Sequence, residues 1–430
     1  MSEVAERFFR YTAIDTQSRE GITDRFPSTE KQKVLGWLLV EELKELHCEG
    51  AKMDDHGYVT AYLPSNLNAN EAETPVIGLI AHLDTSPEVS GSNVKPIIHR
   101  NYRGEAIVLP GDTNQVLRLE ENPELREQIG NDIITADGTT LLGADDKAGI
   151  AEIMTLLSCL GNDRSIPHGK IAVGFTPDEE VGNGTTYFNI EEFGADVAYT
   201  VDGSGEGCIE NENFNAYTAA VTIGGVGVHP GYAEGKLVNA MKIAAFFLNE
   251  LAADPAPETT SGRDGFIHPF QISGGAVQLE MKFLLRDFEK KGIAEKQRRL
   301  ESVAGNAERA FTGAAVDVTF TESYSNMKDK LEKYPEIMRC ALEAVKRAGL
   351  SPATGIIRGG TDGARLSAAG LPTPNIFTGG NNFHSKLEWV SVQSMEATVQ
   401  TLIELVKIWT EKETVARFRQ EMNYMAGISH

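Results

Sequence analysis

Hydrophobic positions along the chain alternate between two periods. Residues 3–13 and 28–46 carry apolar side chains three and four apart, which predicts two helices. In the second, Val34, Leu35, Leu38, Leu39, Leu43 and Leu46 form the predicted core face, and Ser28 stands where an N-cap belongs. Residues 58–63 alternate as a strand, and the polar stretch 65–74 predicts a loop. An apolar run over 75–80 then leads into Ala81-His82-Leu83-Asp84-Thr85. Strand side chains repeat with period two, so His82 and Asp84 point to the same side. In a parallel α/β sheet this strand end is where ligands bind, with His82 a natural metal donor and Asp84 placed to orient it.

The same grammar recurs. Residues 86–138 are loosely patterned and rich in turn residues, which predicts a long surface excursion near the site. A glycine turn then brings Asp145 and Asp146 to the start of a helix whose apolar face is Ile150, Ile153, Met154 and Leu157. First-turn acids are often mere caps, and that alternative stands beside the functional one. Strand 170–176 ends in Pro177-Asp178-Glu179-Glu180-Val181-Gly182, and strand 197–201 ends in Asp202-Gly203. Three packed acids at a strand end repel one another unless solvent or a cation screens them. Beyond Asn213 the order becomes β-α-β-β-α-β: strand 217–223, helix 236–251, strands 266–272 and 277–285, helix 289–311, strand 316–320. That is the order of a small ferredoxin-like domain. Doubly wound features resume with helix 335–348, a glycine-rich turn at 358–363, strand 375–377, the loop to His384 and helix 393–411. The expected architecture is α/β: a doubly wound domain built from residues 1–213 and 325–430, with an α+β domain inserted at 214–324.

Composition narrows the classes. With 430 residues and 41% hydrophobic content, the chain can bury two cores. No run of 18 apolar residues appears, and the first residues are charged, which argues against a membrane span or a secretory signal. Four scattered cysteines without a CxxC pair read as reduced thiols of a cytoplasmic protein. Forty basic against 62 acidic residues give −22, which disfavours nucleic acid and anionic membrane as partners.

Weighed together, His82, Asp145, Glu179 or Glu180, Asp202 and His384 are nitrogen and oxygen donors on predicted strand ends and glycine-rich loops. Two histidines with several carboxylates and no thiolate suit a hydrolytic centre of two zinc ions bridged by one carboxylate, and manganese or cobalt would accept the same donors. Two histidine donors speak against a calcium site.

The chain resembles the co-catalytic zinc exopeptidases, the family that includes aminoacylase and glutamate carboxypeptidase. The resemblance spans nearly the whole sequence, through Asp15-Thr16-Gln17-Ser18, the His82 and Asp145 motifs, Pro177 to Gly182, Val228-His229-Pro230-Gly231, Arg286-Asp287-Phe288, Arg358 to Arg365 and Phe377 to His384. It implies a metallopeptidase catalytic domain, with the ferredoxin-like insertion as a lid. It further implies His82, bridging Asp145, Glu180, Asp202 and His384 as ligands of two zinc ions, Asp84 as the orienter of His82, and Glu179 as general base. His229 is implied to support the oxyanion. Arg286 and, as the stronger candidate, Arg358 are read as holding the substrate carboxylate, because a guanidinium fork matches it. Lys147 and Asp146 are read as structural. The activity implied is removal of the N-terminal residue from tripeptides; a dipeptidase, acylase or carboxypeptidase on the same scaffold, or a silent peptide-binding relative, are the alternatives. Whether the chain is a monomer or a homodimer stays open, and the segment after Glu413 matches nothing.

Overall fold

Four apolar runs pair side by side and parallel, in the order Ile171–Thr176, Ile77–His82, Val197–Gly203 and Asn375–Phe377, at the centre of an eight-stranded sheet. Every residue of the first two strands is buried, which is why they read as unbroken apolar runs: both faces are covered. One face carries the large core, where Leu79, Val173 and Val201 meet Ile150, Met154, Leu39 and Leu402 from helices. The other carries a smaller core of Ile80, Ala172, Ala198, Phe193, Leu366 and Leu371. Val59–Leu63 and Glu49–Met53 extend one edge antiparallel, and Cys208–Asn213 and Ala353–Ile357 extend the other. The fold is the mixed α/β class anticipated, and the parallel strands deliver their carboxyl ends to one side.

The computed structural model describes residues 1–68 and 74–428, so part of the predicted loop 65–74 lies outside the described residues. The chain divides into two compact units, one of Met1–Asn211, Met327–Gly355 and Thr361–His430, the other of Glu212–Asn326 with Ile356–Gly360. In the second unit four antiparallel strands run in the order Phe266–Gly274, Gln278–Asp287, Asn215–Gly224, Ala315–Tyr324. Helices Ala240–Glu250 and Lys290–Ala310 close its core through Ile243, Phe247, Leu300 and Val303. That order is the ferredoxin-like one. No helix of the described residues is long and apolar enough to cross a membrane, and all four cysteines are free.

Three local expectations change. The second helix begins at Gln32 rather than Ser28. Ser28 instead gives its backbone N–H and hydroxyl to the Asp178 carboxylate, a bond across 150 residues that outcompetes capping. Val34, expected in the core, is 57% exposed, because the buried stripe runs through Leu35, Leu39 and Leu43. The loosely patterned stretch 86–138 is not structureless: Ile97–His99 and Ile133–Thr135 join Gly380–Asn381 and Trp389–Ser391 in a small sheet over Tyr102, Leu109, Leu117 and Trp389. Strands of two or three residues are too short to show a period. As far as Ile428, the segment after Glu413 lies in helix Lys412–Ile428, whose Phe418 packs edge-on against Trp409.

Helix Ala144–Asn162 crosses the Val197–Gly203 strand at Gly149, where an added Cβ would stand 1.8 Å from the Val201 carbonyl oxygen. Backbone on both sides leaves nothing to give way. Gly149→Ala is therefore expected to destabilise the first unit by about 3 kcal/mol or more. Gly161→Ala on the same helix, with nothing within 4 Å, should be neutral or stabilise by up to about 1 kcal/mol. Urea unfolding checks both, and a Gly149→Ala midpoint equal to that of Gly161→Ala would refute the close approach.

Candidate metal centre and active site

Donors from five chain segments converge at the carboxyl ends of the parallel strands. His82 ends its strand with Nε2 2.7 Å from Asp145 Oδ1 and 3.5 Å from Asp202 Oδ1. His384, in the loop after Asn375–Phe377, has Nε2 2.8 Å from Glu180 Oε2 and 3.3 Å from Asp145 Oδ2. Asp145 thus turns one oxygen to each histidine. The ligand atoms of His82, Asp145 and Asp202 lie within 4.8 Å of one another, and so do those of Asp145, Glu180 and His384. Two triads sharing one carboxylate are the arrangement that two bridged cations need.

The electrostatics fit cations as well. Burial pushes Glu180 up to about 8, with the charge of Asp145 adding to it, and Glu180 Oε1 is buried with no hydrogen-bond partner among the described residues. Burial also raises Asp202, against the pull of His82. Burial works against the charged forms of both histidines, yet they are held up by carboxylates, His82 by Asp202 and Asp145, and His384 to about 11 by Asp145 and Glu180. At Asp145 the upward push of burial is overcome by His384 and His82, which hold it below the usual carboxylate range. Crowded, desolvated carboxylates of this kind are stable as anions only with positive charge among them. All donors are nitrogen or oxygen, a set that suits zinc, cobalt or manganese.

Backbone bonds set each donor. The His82 Nδ1 bonds the main-chain oxygen of Asp84 at 3.0 Å, while the nearer carboxylate oxygen lies 3.6 Å away. That carboxylate instead accepts the N–H groups of Glu179 and Glu180, at 2.9 and 3.2 Å. Asp84 therefore orients the acid pair as well as His82, a role the two-residue spacing did not reveal. Glu179 belongs to neither triad; burial raises it well above the ordinary range, with Asp362, Asp202 and Glu180 adding their charge. Asp178, at φ +59, is fixed by Ser28 and by a reciprocal pair of bonds with Gln32.

Neither first-turn aspartate is a helix cap. Gly143 holds the N-cap position at φ +83, and Asp145 and Asp146 are non-helical. Asp146 accepts the His82 N–H at 2.9 Å, and the buried Lys147 Nζ donates to the Ile14 carbonyl at 2.7 Å, so both serve the backbone. Sequence reasoning passed over Glu388, a fully buried carboxylate that accepts the N–H groups of Leu142, Gly143 and Asp145. The one signal was an acid set among Leu387, Trp389 and Val390, four residues after His384.

His229, Arg286 and Arg358 belong to the second unit. His229 is exposed, and its Nδ1 accepts the Gly231 N–H at 3.2 Å, which in the neutral ring leaves the proton on Nε2. Arg358 spends Nη1 on the carbonyls of Gly262 and Asp264 and Nη2 on Thr260 Oγ1, and lies over the Phe214 ring. Arg286 uses Nη1 on the carbonyls of Tyr217 and Leu285. Arg358 therefore clamps a loop, and Arg286 keeps more of its fork.

Residues 121–408 match the model of peptidase family M20/M25/M40. The chain is 45% identical over 412 residues to a protein named Peptidase T from Clostridium acetobutylicum, covering 96% of this chain and 100% of that one. It is 44% identical over 412 residues to a Peptidase T from Halothermothrix orenii, again covering 96% and 100%. Among solved structures, an aminopeptidase PepT from Bacillus cereus aligns at 22% identity over 95% of this chain and 98% of that one, with a TM-score of 0.72. The YXEP protein of Bacillus subtilis, described as a dinuclear metal binding peptidase of the M20 family, aligns at 15% identity over 94% and 97%, with a TM-score of 0.64.

The two triads predict stepwise metal loss, read as equivalents per chain by elemental analysis after dialysis. Asp202→Ala, which strips one triad, should lose part of the metal the parent retains, and Asp145→Ala, which strips both, should lose almost all of it. Equal loss in the two variants would contradict a shared Asp145.

Proposed function

The chain belongs to peptidase family M20/M25/M40 and is a hydrolase, a metallo-exopeptidase; from that premise we propose that it removes the N-terminal residue from tripeptides at a centre of two zinc ions. What carries the reading is the single carboxylate of Asp145 set between two histidine-containing triads. The near-full-length likeness to proteins named Peptidase T supplies the substrate class.

On this reading His82, Asp145 and Asp202 hold one ion, and Asp145, Glu180 and His384 the other. Bound there, the ions supply Lewis acidity for the scissile carbonyl and lower the pKa of water. Glu179, outside both triads and raised in pKa, accepts the proton of the attacking water and passes it to the leaving amine. Adjacent residues leaving a strand face different ways, so Glu179 and Glu180 can divide the work of base and ligand. Asp84 fixes both through their N–H groups and orients His82. For substrate recognition we assign the oxyanion to His229 Nε2–H and the carboxylate of the peptide to Arg286, with Arg358 shaping the loop beside it.

Chelation should abolish activity, and zinc, cobalt or manganese should restore it; full turnover by metal-free protein would end this reading. Glu179→Gln should lower kcat by a factor of about 10² to 10⁴ with metal content intact. If Glu179→Gln lost metal while Glu180→Gln kept it, the two roles would be exchanged.

Substrate recognition has its own test. Amidating the C-terminus of a tripeptide removes a charge-assisted pair of about 1.5–3 kcal/mol, roughly a 10- to 150-fold drop in kcat/KM. Arg286→Ala should show that drop on the free acid and almost none on the amide, and a mutant that still discriminated acid from amide would remove Arg286 from the role.

A further inference from the structure

Glu388 stands outside the ligand set and outside the chemistry, yet its surroundings tie it to both. It is 1% exposed. Its Oε2 accepts the N–H groups of Leu142 and Gly143, each at 2.7 Å, and its Oε1 accepts the N–H of Asp145 at 3.0 Å. These three donors belong to the turn that presents the shared carboxylate, which Gly143 bends at φ +83 and Asp145 leaves at non-helical φ −84, ψ 103. The helical bond of this turn, Lys147 N–H to the Gly143 carbonyl at 3.3 Å, leaves the three N–H groups to Glu388. Removing its acceptor would leave two buried N–H groups and one half-buried one without this partner. The turn would relax to recover them.

The other end of Glu388 is equally constrained. It lies four residues after His384 in a short segment where Glu388 N–H reaches Ser385 O at 3.3 Å and Leu387 N–H reaches Ser385 Oγ at 3.1 Å. Trp389, the next residue, is buried and paired with Thr135. One rigid stretch thus presents His384 and, through Glu388, grips the turn that presents Asp145, whose Oδ2 is 3.3 Å from His384 Nε2. A single side chain links the two segments that carry these ligands.

We propose that Glu388 is a positioning residue that fixes Asp145 between the two histidines and so sets the affinity of both metal positions; this rests on the metal assignment of the preceding subsection. Its carboxylate belongs to neither triad. Three convergent N–H groups call for an acceptor on both oxygens. An amide at this place keeps the volume but turns one NH₂ toward an N–H. An aspartate keeps the charge but is one methylene short of the turn.

The test is zinc competition against a chelating dye, using the full chain stripped of metal, with circular dichroism and thermal unfolding of the metal-free protein alongside. Glu388→Gln and Glu388→Asp should bind zinc about 10- to 100-fold more weakly than the parent, the loss seen when supports of metal ligands are removed. For tripeptide hydrolysis at saturating zinc, kcat should fall while KM stays near that of the parent. Gly143→Ala reaches the same turn from the opposite side: its Cβ would meet nothing closer than 3.4 Å, so only the positive φ is disturbed, and zinc affinity should fall in the same way. If the Glu388 variants do not fold, Gly143→Ala decides. Folded variants that melt earlier but bind zinc with the affinity of the parent would overturn the positioning role and leave the metal centre standing. A parent chain that takes up no zinc would overturn both.

Discussion

Like charges in a confined space are the constraint around which the first unit is arranged. Asp84, Asp145, Asp146, Glu179, Glu180 and Asp202 gather at the end of one sheet, buried or half-buried, where each raises the cost of ionising its neighbours. A fold can hold such a group in place only if each member has a donor or a cation to answer it. The structure divides the answer. Backbone N–H groups reach both oxygens of Asp84 and of Glu388 and one oxygen of Asp146, while the histidines face Asp145, Asp202 and Glu180. What is left over, including the unpartnered Glu180 Oε1, is the negative potential into which metal ions fit.

The sheet makes this convergence possible. Parallel strands send all their carboxyl ends to one side, so acids from His82-x-Asp84, from the Glu179–Glu180 pair and from Asp202 meet without long loops. Helix Ala144–Asn162 adds Asp145 from above, and the close pass of Gly149 under Val201 ties its position to the strand that ends in Asp202. Packing in the core and spacing of the ligands are therefore one problem. A methyl group at Gly149 and a missing carboxylate at Glu388 both disturb Asp145, the first through the helix and the second through the turn before it.

The second unit shows the same economy in reverse. Arg358 looks like a ligand-binding residue in a glycine-rich turn, but its donors are consumed by the loop Thr260 to Asp264 and its face by Phe214 and Phe266. A guanidinium with committed amino groups is a brace. Arg286, inside the half-buried strand Gln278–Asp287, keeps more of its fork despite its plainer surroundings.

The sequence by itself determined a good deal. Apolar runs of six against periods of three and four separated strands from helices, and the β-α-β-β-α-β order named the second unit's topology, because these patterns express burial that local chain geometry dictates. It also put His82, Asp145, Glu179 or Glu180, Asp202 and His384 on strand ends or in glycine-rich loops, since each motif is local. Only the tertiary structure decided which oxygen of Asp145 faces which histidine, and that Asp84 serves the Glu179–Glu180 backbone. It alone showed that Ser28 abandons a helix cap for Asp178, and that Glu388 reaches back more than 240 residues to the turn of Asp145. The reason is common to all four. A hydrogen bond between remote segments leaves no periodic trace in either one, so a buried acid among apolar residues reads the same whether it braces an active site or a loop.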